Sequence, residues 1–270
     1  MNESKIAELR RILGEMQRVV VAYSGGVDST LLAFLANQEL GANALALTAV
    51  SPSLSQADLQ EAQNIARRFN FAHQMIATHE IQNENYQANT PLRCYWCKNE
   101  VFGLLSNYAK KNGFDFIVDG TNLDDIHDHR PGRQAASEIG VRSPFIEAQI
   151  TKQDIRMMAQ QFGLPNWNRP AAACLASRIP YGTPITEKLL SQVEQAEIIL
   201  RSYGITQGRV RHHGNIARLE VEPENFETIL MRREQIVESF KELGFTFIAL
   251  DLAGYKTGSL NQLIKVTHES

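Results

Sequence analysis

Six consecutive residues, Ser24-Gly25-Gly26-Val27-Asp28-Ser29, carry the densest chemistry in this chain. The β-branched run Val19-Val20-Val21 leads into them, and a Leu/Ala-rich helical pattern over residues 31–40 follows. That order predicts a strand, a tight glycine turn and a helix N-terminus. Glycines without a Cβ let backbone N–H groups close around a phosphate. A helix start adds unpaired donors and the positive end of its dipole. Ser24 and Ser29 add hydroxyls, and Asp28 is placed to hold a magnesium ion beside the phosphates. The Gly-Lys-Ser/Thr ending of a Walker loop and the Gly-x-Gly-x-x-Gly spacing are both absent.

Three further groups of residues suit chemistry. Cys94-Tyr95-Trp96-Cys97-Lys98 reads as half a zinc site, a redox dithiol, part of an iron–sulfur site, or a chance pair. A structural zinc site wants four ligands, so a histidine would have to join the three cysteines of the chain. Three thiolates also suit a [4Fe–4S] cluster with one iron open to a substrate sulfur. The third cysteine, Cys174, sits in the irregular run Ala173-Cys174-Leu175-Ala176-Ser177-Arg178. A neighbouring arginine lowers a thiol pKa and gives nucleophilic or metal-ligating character, whereas burial would leave the thiol inert. The loop from Asp119 to Gly132 holds Asp124, Asp125, Asp128, His127 and His129, either to bind magnesium and position a nucleotide or as a solvated acidic loop. Arg209 and Arg211 alternate on a predicted strand and so share one face, where two guanidiniums could take a phosphate monoester or simply meet solvent.

Elements must position these groups. The periodicity predicts helix 4–17, strand 18–23, helix 28–40, strand 44–50, helix 56–70, strand 71–77, a helix containing 101–110 and strand 114–118. Ser55 and Asp58 are expected to form a capping box on the third of these helices. Repeated βα units make an α/β fold with a parallel doubly wound sheet, whose ligands bind at the carboxyl ends of strands, where Ser24 and Gly120 fall. After a helix over 151–162, the stretch 166–184 is irregular. Beyond it the pattern predicts helix 186–203, strands near Val210 and over 217–221, helix 224–243 and strand 245–250. The expected organisation is a nucleotide-binding domain over 1–165, a linker over 166–185 carrying Cys174, and a small α+β domain over 186–270.

The net charge of −3 does not suggest a broad surface for nucleic acid. No apolar run approaches the ~20 residues that span a bilayer. The polar N-terminus does not read as a secretory signal, and three cysteines argue against a disulfide framework, so the expected location is cytoplasmic.

The hexapeptide resembles the PP-loop of the ATP pyrophosphatase superfamily, which implies attack on the α-phosphate of ATP and transfer of AMP to an acyl or carbonyl oxygen. SGGVDS together with DGTNLDDxxDxRPG, CLASRxPYG and RVR–HxxxxAR–E resembles the LarE family over about residues 15–260. The family makes the nickel-pincer nucleotide cofactor of lactate racemase. The resemblance implies a small nucleotide substrate, pyridinium-3,5-biscarboxylic acid mononucleotide, whose carboxylates are adenylated and become thiocarboxylates. It implies that Ser24, Gly25, Gly26, Asp28, Ser29 and Gly120 bind ATP and magnesium, that Lys98 supports adenylation, and that Cys174 handles sulfur. Ser177, Arg178, Glu197, Arg209, Arg211 and Glu234 would line the substrate phosphate and sulfur site. Some members sacrifice the sulfur of their one cysteine. The pattern Cys94, Cys97, Cys174 resembles the other kind, in which three cysteines bind a [4Fe–4S] cluster carrying an extra sulfide from an unidentified source. The family also implies a homohexamer. A tRNA thiolation enzyme would share the PP-loop and cysteines but needs a basic surface, and an amide-forming PP-loop ligase would leave the cysteines idle.

Overall fold

The computed structural model describes residues 2–127, 131–170 and 173–256. The chain divides into two compact units, Met1–Tyr86 with Pro91–Ala172, and Gln87–Thr90 with Ala173–Ser270.

The first unit runs α1 (Asn2–Met16), β1 (Val19–Ala22), α2 (Val27–Leu40), β2 (Ala44–Val50), α3 (Gln56–Arg68) and β3 (His73–Ala77). After the short α4 (Glu84–Gln87) come α5 (Arg93–Asn112), β4 (Phe116–Val118), α6 (Pro131–Ile139), α7 (Pro144–Glu147) and α8 (Lys152–Gln161). Among the described residues its sheet has the order β3-β2-β1-β4, and all pairs are parallel. Strand β1 explains the unbroken β-branched run. Val19 and Val21 pack into one core with Leu9 and Leu13 of α1 and Leu31 and Leu35 of α2, while Val20 joins Phe102 and Leu105 of α5 on the opposite face. A central parallel strand covered on both sides has no polar face. Because β2 and β3 lie on one side of β1 and β4 on the other, the strand order reverses between β1 and β4. The crevice at their carboxyl ends is where such sheets bind ligands.

Ser55 caps α3 as expected, accepting the Asp58 N–H at 3.1 Å. The Asp58 carboxylate, however, takes the Ser55 hydroxyl proton at 2.7 Å and one guanidinium N–H of Arg169 at 2.7 Å. A reciprocal capping box forms instead at α8, between Thr151 and Asp154. Strand β3 starts at His73 rather than at 71, because the Phe71 N–H is spent closing the end of α3 on Ala66.

The second unit contains α9 (Glu187–Ser202), β5 (Gly208–His213), β6 (Ile216–Val221), α10 (Phe226–Met231), α11 (Arg233–Glu242) and β7 (Phe247–Leu250). Strands β5 and β6 form an antiparallel hairpin and β7 joins β6 in parallel. Val210, Leu219 and Val221 bury one face against Leu200, Phe240 and Phe245. The single helix expected over 224–243 is interrupted at Arg232, whose φ and ψ of −100° and 13° lie outside the helical range. Among the described residues no helix is long and apolar enough to cross a membrane.

Candidate active site

In the first unit the Ser24–Ser29 loop closes the end of β1. Gly25 adopts φ +75°, and a Cβ there would lie 2.8 Å from Ala62 Cβ, so this position accepts only glycine without distortion. The Ser24 N–H donates to Ser29 Oγ at 3.1 Å, and Ser29 Oγ donates to the Gly26 carbonyl at 3.2 Å, which curls the loop over the start of α2. The N-cap of α2 is Gly26, and no side chain caps this end. A helix start left open in this way is a ready anion site.

Asp28 is half-exposed at the first turn of α2 and is ion-paired with Lys152 Nζ, the first residue of α8. Asn122 Nδ2 approaches the other oxygen of Asp28 at 3.4 Å. The loop after β4 reaches α2 because Gly120 has no side chain: a Cβ there would stand 2.9 Å from the Ser29 nitrogen and 3.0 Å from the Asp28 carbonyl carbon. Asp119 fixes this loop, accepting from Thr121 Oγ1 and Ser143 Oγ, both at 2.7 Å. Asp124 and Asp125 are also engaged locally. Asp124 accepts the Lys152 N–H at 2.8 Å, and Asp125 accepts the Asn122 N–H at 3.1 Å. Asp128 and His129 lie outside the described residues, as does the side chain of His127.

Cys94 and Cys97 stand on the first turns of α5, and a spacing of three puts them on one helix face. Neither is in a disulfide; Cys94 is exposed and Cys97 half-exposed. Lys98 rests its ammonium 5.2 Å from the Phe102 ring centre.

In the second unit Cys174 is exposed at the N-cap of a single 3₁₀ turn, Leu175–Arg178. Arg178 underlies that turn: its Nη1 donates to the carbonyls of Ala173 at 2.6 Å and Cys174 at 3.0 Å, and to Ser177 Oγ at 3.0 Å. The rest of its guanidinium makes a bidentate pair with Glu197 of α9, at 2.8 and 3.1 Å, with both residues buried. Arg211 is similarly committed, donating twice to Glu220 Oε2 and once to the Ser177 carbonyl at 2.9 Å. Arg218 takes the other Glu220 oxygen and Asp251. Arg209 differs: among the described residues no carboxylate lies within ion-pair distance of it, although Glu197 attracts it from further off; its Nη1 donates to the Gly208 carbonyl at 2.8 Å, and it lies 5.4 Å from the Tyr255 ring centre. Burial pushes its pKa below the usual arginine value, with Arg178 adding repulsion. Arg209 is therefore the guanidinium with capacity left for an anion, while Arg178 and Arg211 form the frame. Glu234 stands on the exposed first turn of α11, paired with its neighbour Arg233 at 3.0 Å.

The sequence reading missed Lys152, Asn122, Asn166 and Asn89. The first two meet Asp28, and Asn166 Nδ2 donates to the Gly25 carbonyl at 2.8 Å. Asn89, fully buried with φ 51°, donates to the carbonyls of Pro180 and Thr183, both at 2.8 Å, and so holds the segment after Cys174. Among the described residues no group of three His, Cys, Asp or Glu side chains is gathered to hold a metal ion.

A parallel sheet with an open phosphate loop at its switch point defines an ATP-using enzyme of the PP-loop class. A family model described as NAD synthase matches residues 8–94, the part that contains this loop. An uncharacterised protein of Synechocystis is 46% identical over 98% of this chain and 99% of its own length. The pyridinium-3,5-bisthiocarboxylic acid mononucleotide synthase of Lactiplantibacillus plantarum is 36% identical over 97% of this chain and 95% of its own. An uncharacterised protein of Methanocaldococcus jannaschii is 32% identical over 94% and 98% respectively. The chain belongs to the LarE family of ATP-dependent sulfur transferases.

Gly120→Ala follows directly from this geometry. The added methyl must push the β4 loop off backbone atoms of Ser29 and Asp28, so ATP affinity is expected to fall by roughly tenfold or more and Tm by a few degrees, the overpacking costing about 1–3 kcal/mol. Calorimetric titration with ATP beside a thermal melt checks both halves of that expectation.

Proposed function

We propose that this protein adenylates the carboxylates of pyridinium-3,5-biscarboxylic acid mononucleotide with ATP and converts them to thiocarboxylates for the nickel-pincer cofactor. The observation that carries this reading is the open PP-loop in a chain colinear with a synthase named for the bisthiocarboxylic product. A substrate carboxylate oxygen attacks the α-phosphorus of ATP and pyrophosphate leaves. Sulfide sulfur then attacks the acyl carbon, the C–O bond to AMP breaks, and AMP departs with the electron pair. A second cycle treats the other carboxylate.

The loop N–H groups and the start of α2 offset phosphate charge. Asp28 fits magnesium: its carboxylate already holds one cation, the Lys152 ammonium, and magnesium needs one or two carboxylates beside phosphates and water. Lys98 supports adenylation as a cation near the reacting groups, and Arg209 holds the substrate phosphate. Ser177, Arg178, Glu197, Arg211 and Glu234 belong to the same substrate-side set.

Cys94, Cys97 and Cys174 would hold a [4Fe–4S] cluster. Three thiols outside any disulfide suit that group in number, since a cluster with three protein thiolates keeps one iron open, although among the described residues no three such side chains are gathered. When bound, the cluster supplies an iron at which sulfide from an external donor is held. Cytoplasmic location and a homohexamer complete the proposal.

The test is iron and acid-labile sulfide content of anaerobically purified protein, with turnover counted for wild type and Cys94→Ala. The expected result is about four irons per chain and many turnovers, both lost in the variant. Repeated turnover by Cys94→Ala would overturn the cluster role. An iron-free protein whose Cys174 loses the mass of H₂S after reaction would show the sacrificial route. The amide-ligase reading gains only from the NAD synthase match, and that match ends at residue 94.

A further inference from the structure

The carbonyl of Gly25 is turned into the protein, where Asn166 Nδ2 donates to it at 2.8 Å and to Thr30 Oγ1 at 3.0 Å. Asn166 follows α8 and is 1% exposed. A trans peptide is planar, so the Gly25 carbonyl and the Gly26 N–H of the same peptide point in opposite directions. Holding the carbonyl inward sends the Gly26 N–H outward into the loop. There its contact within the chain is Ser24 Oγ at 3.4 Å, beyond the usual range for an N–H donor.

A peptide between two glycines meets little steric resistance to rotation, and Gly25 already sits at φ +75°. Rotated over, it would present an oxygen where a phosphate expects a donor. The loop's own residues provide little to prevent this, whereas Asn166 does so directly. Its cost is visible: Asn166 Oδ1 is buried and has no hydrogen-bond partner among the described residues. A buried acceptor left open is unfavourable. The amide cannot be turned to relieve it, because its oxygen would then face the Gly25 carbonyl oxygen. The site tolerates the open acceptor while the donor stays in place.

We propose that Asn166 is a positioning residue of the nucleotide site, locking the Gly25–Gly26 peptide so that its N–H points at the phosphate chain of ATP. This rests on the ATP-binding reading of the loop.

The experiment is calorimetric titration of wild type, Asn166→Asp and Asn166→Ala with ATP, pyrophosphate and adenosine. Asp keeps the shape and removes the donor, and Ala removes it without adding charge should the first variant fail to fold. Affinity for ATP and pyrophosphate is expected to fall about ten- to a hundredfold, with adenosine affinity held within about twofold. Parallel loss of adenosine binding would assign Asn166 a purely structural role and overturn the proposal. Unchanged pyrophosphate affinity would do the same. Failure of the wild type to bind ATP or pyrophosphate would overturn the ATP reading itself, and the positioning role with it.

Discussion

Cys174→Ala is expected to lose thiocarboxylate formation by at least about a thousandfold while ATP is still cleaved to AMP and pyrophosphate in the presence of the carboxylate substrate. The first half follows from the second chemical step, which needs a sulfur atom delivered to an activated acyl carbon. The second half follows from the division of the chain: the PP-loop, Asp28 and the β4 loop all lie in the first unit, and Cys174 lies in the second. Fold should survive. Cys174 is exposed, and its ordered contacts run through its carbonyl, which accepts from the Ser177 N–H at 2.9 Å and from Arg178 at 3.0 Å. Alanine keeps that carbonyl, so Tm should shift little. Product mass spectrometry, paired with a pyrophosphate assay, reads both steps. Retained thiocarboxylate would remove Cys174 from the sulfur path; loss of both steps would show that it serves adenylation too.

What could be read beforehand depended on distance along the chain. The strand, glycine turn and helix around Ser24–Ser29 are a local arrangement, and hydrophobic period and glycine placement suffice to find it. The residues that brace it come from afar: Asn122 stands 94 positions from Asp28, Lys152 124 positions from it, and Asn166 141 from Gly25. No local pattern marks them, although the expected parallel sheet already put Ser24 and Gly120 both at the carboxyl ends of its strands. Helix α9 hid its charge differently. Glu197 is singled out by the family resemblance alone, and no helical period marks it as buried; it is 3% exposed because Arg178 arrives to meet it. The alternation that placed Arg209 and Arg211 on one face was legible, whereas the choice of Glu220, which lies opposite Arg209 yet ion-pairs with Arg211, became visible only with the pairing of β5 and β6.

That asymmetry carries the second large expectation. Glu197→Ala should destabilise the second unit by about 3–5 kcal/mol, because it strands a buried guanidinium beside another, Arg209, that already repels it. In a unit of this size the loss corresponds to a fall in Tm of ~10 °C or more. The Arg178→Met, Glu197→Leu double variant should recover most of that stability, since removing both charges removes the stranded one. Arg209→Ala should behave oppositely: it takes away a guanidinium with no carboxylate partner, so Tm should hold while KM for the phosphate-bearing substrate rises roughly tenfold or more. Differential scanning calorimetry of the four proteins, set beside their KM values, separates the frame from the ligand-binding charge. Were Glu197→Ala as stable as wild type and Arg209→Ala the one to unfold, the assignment of roles between the two arginines would have to be exchanged.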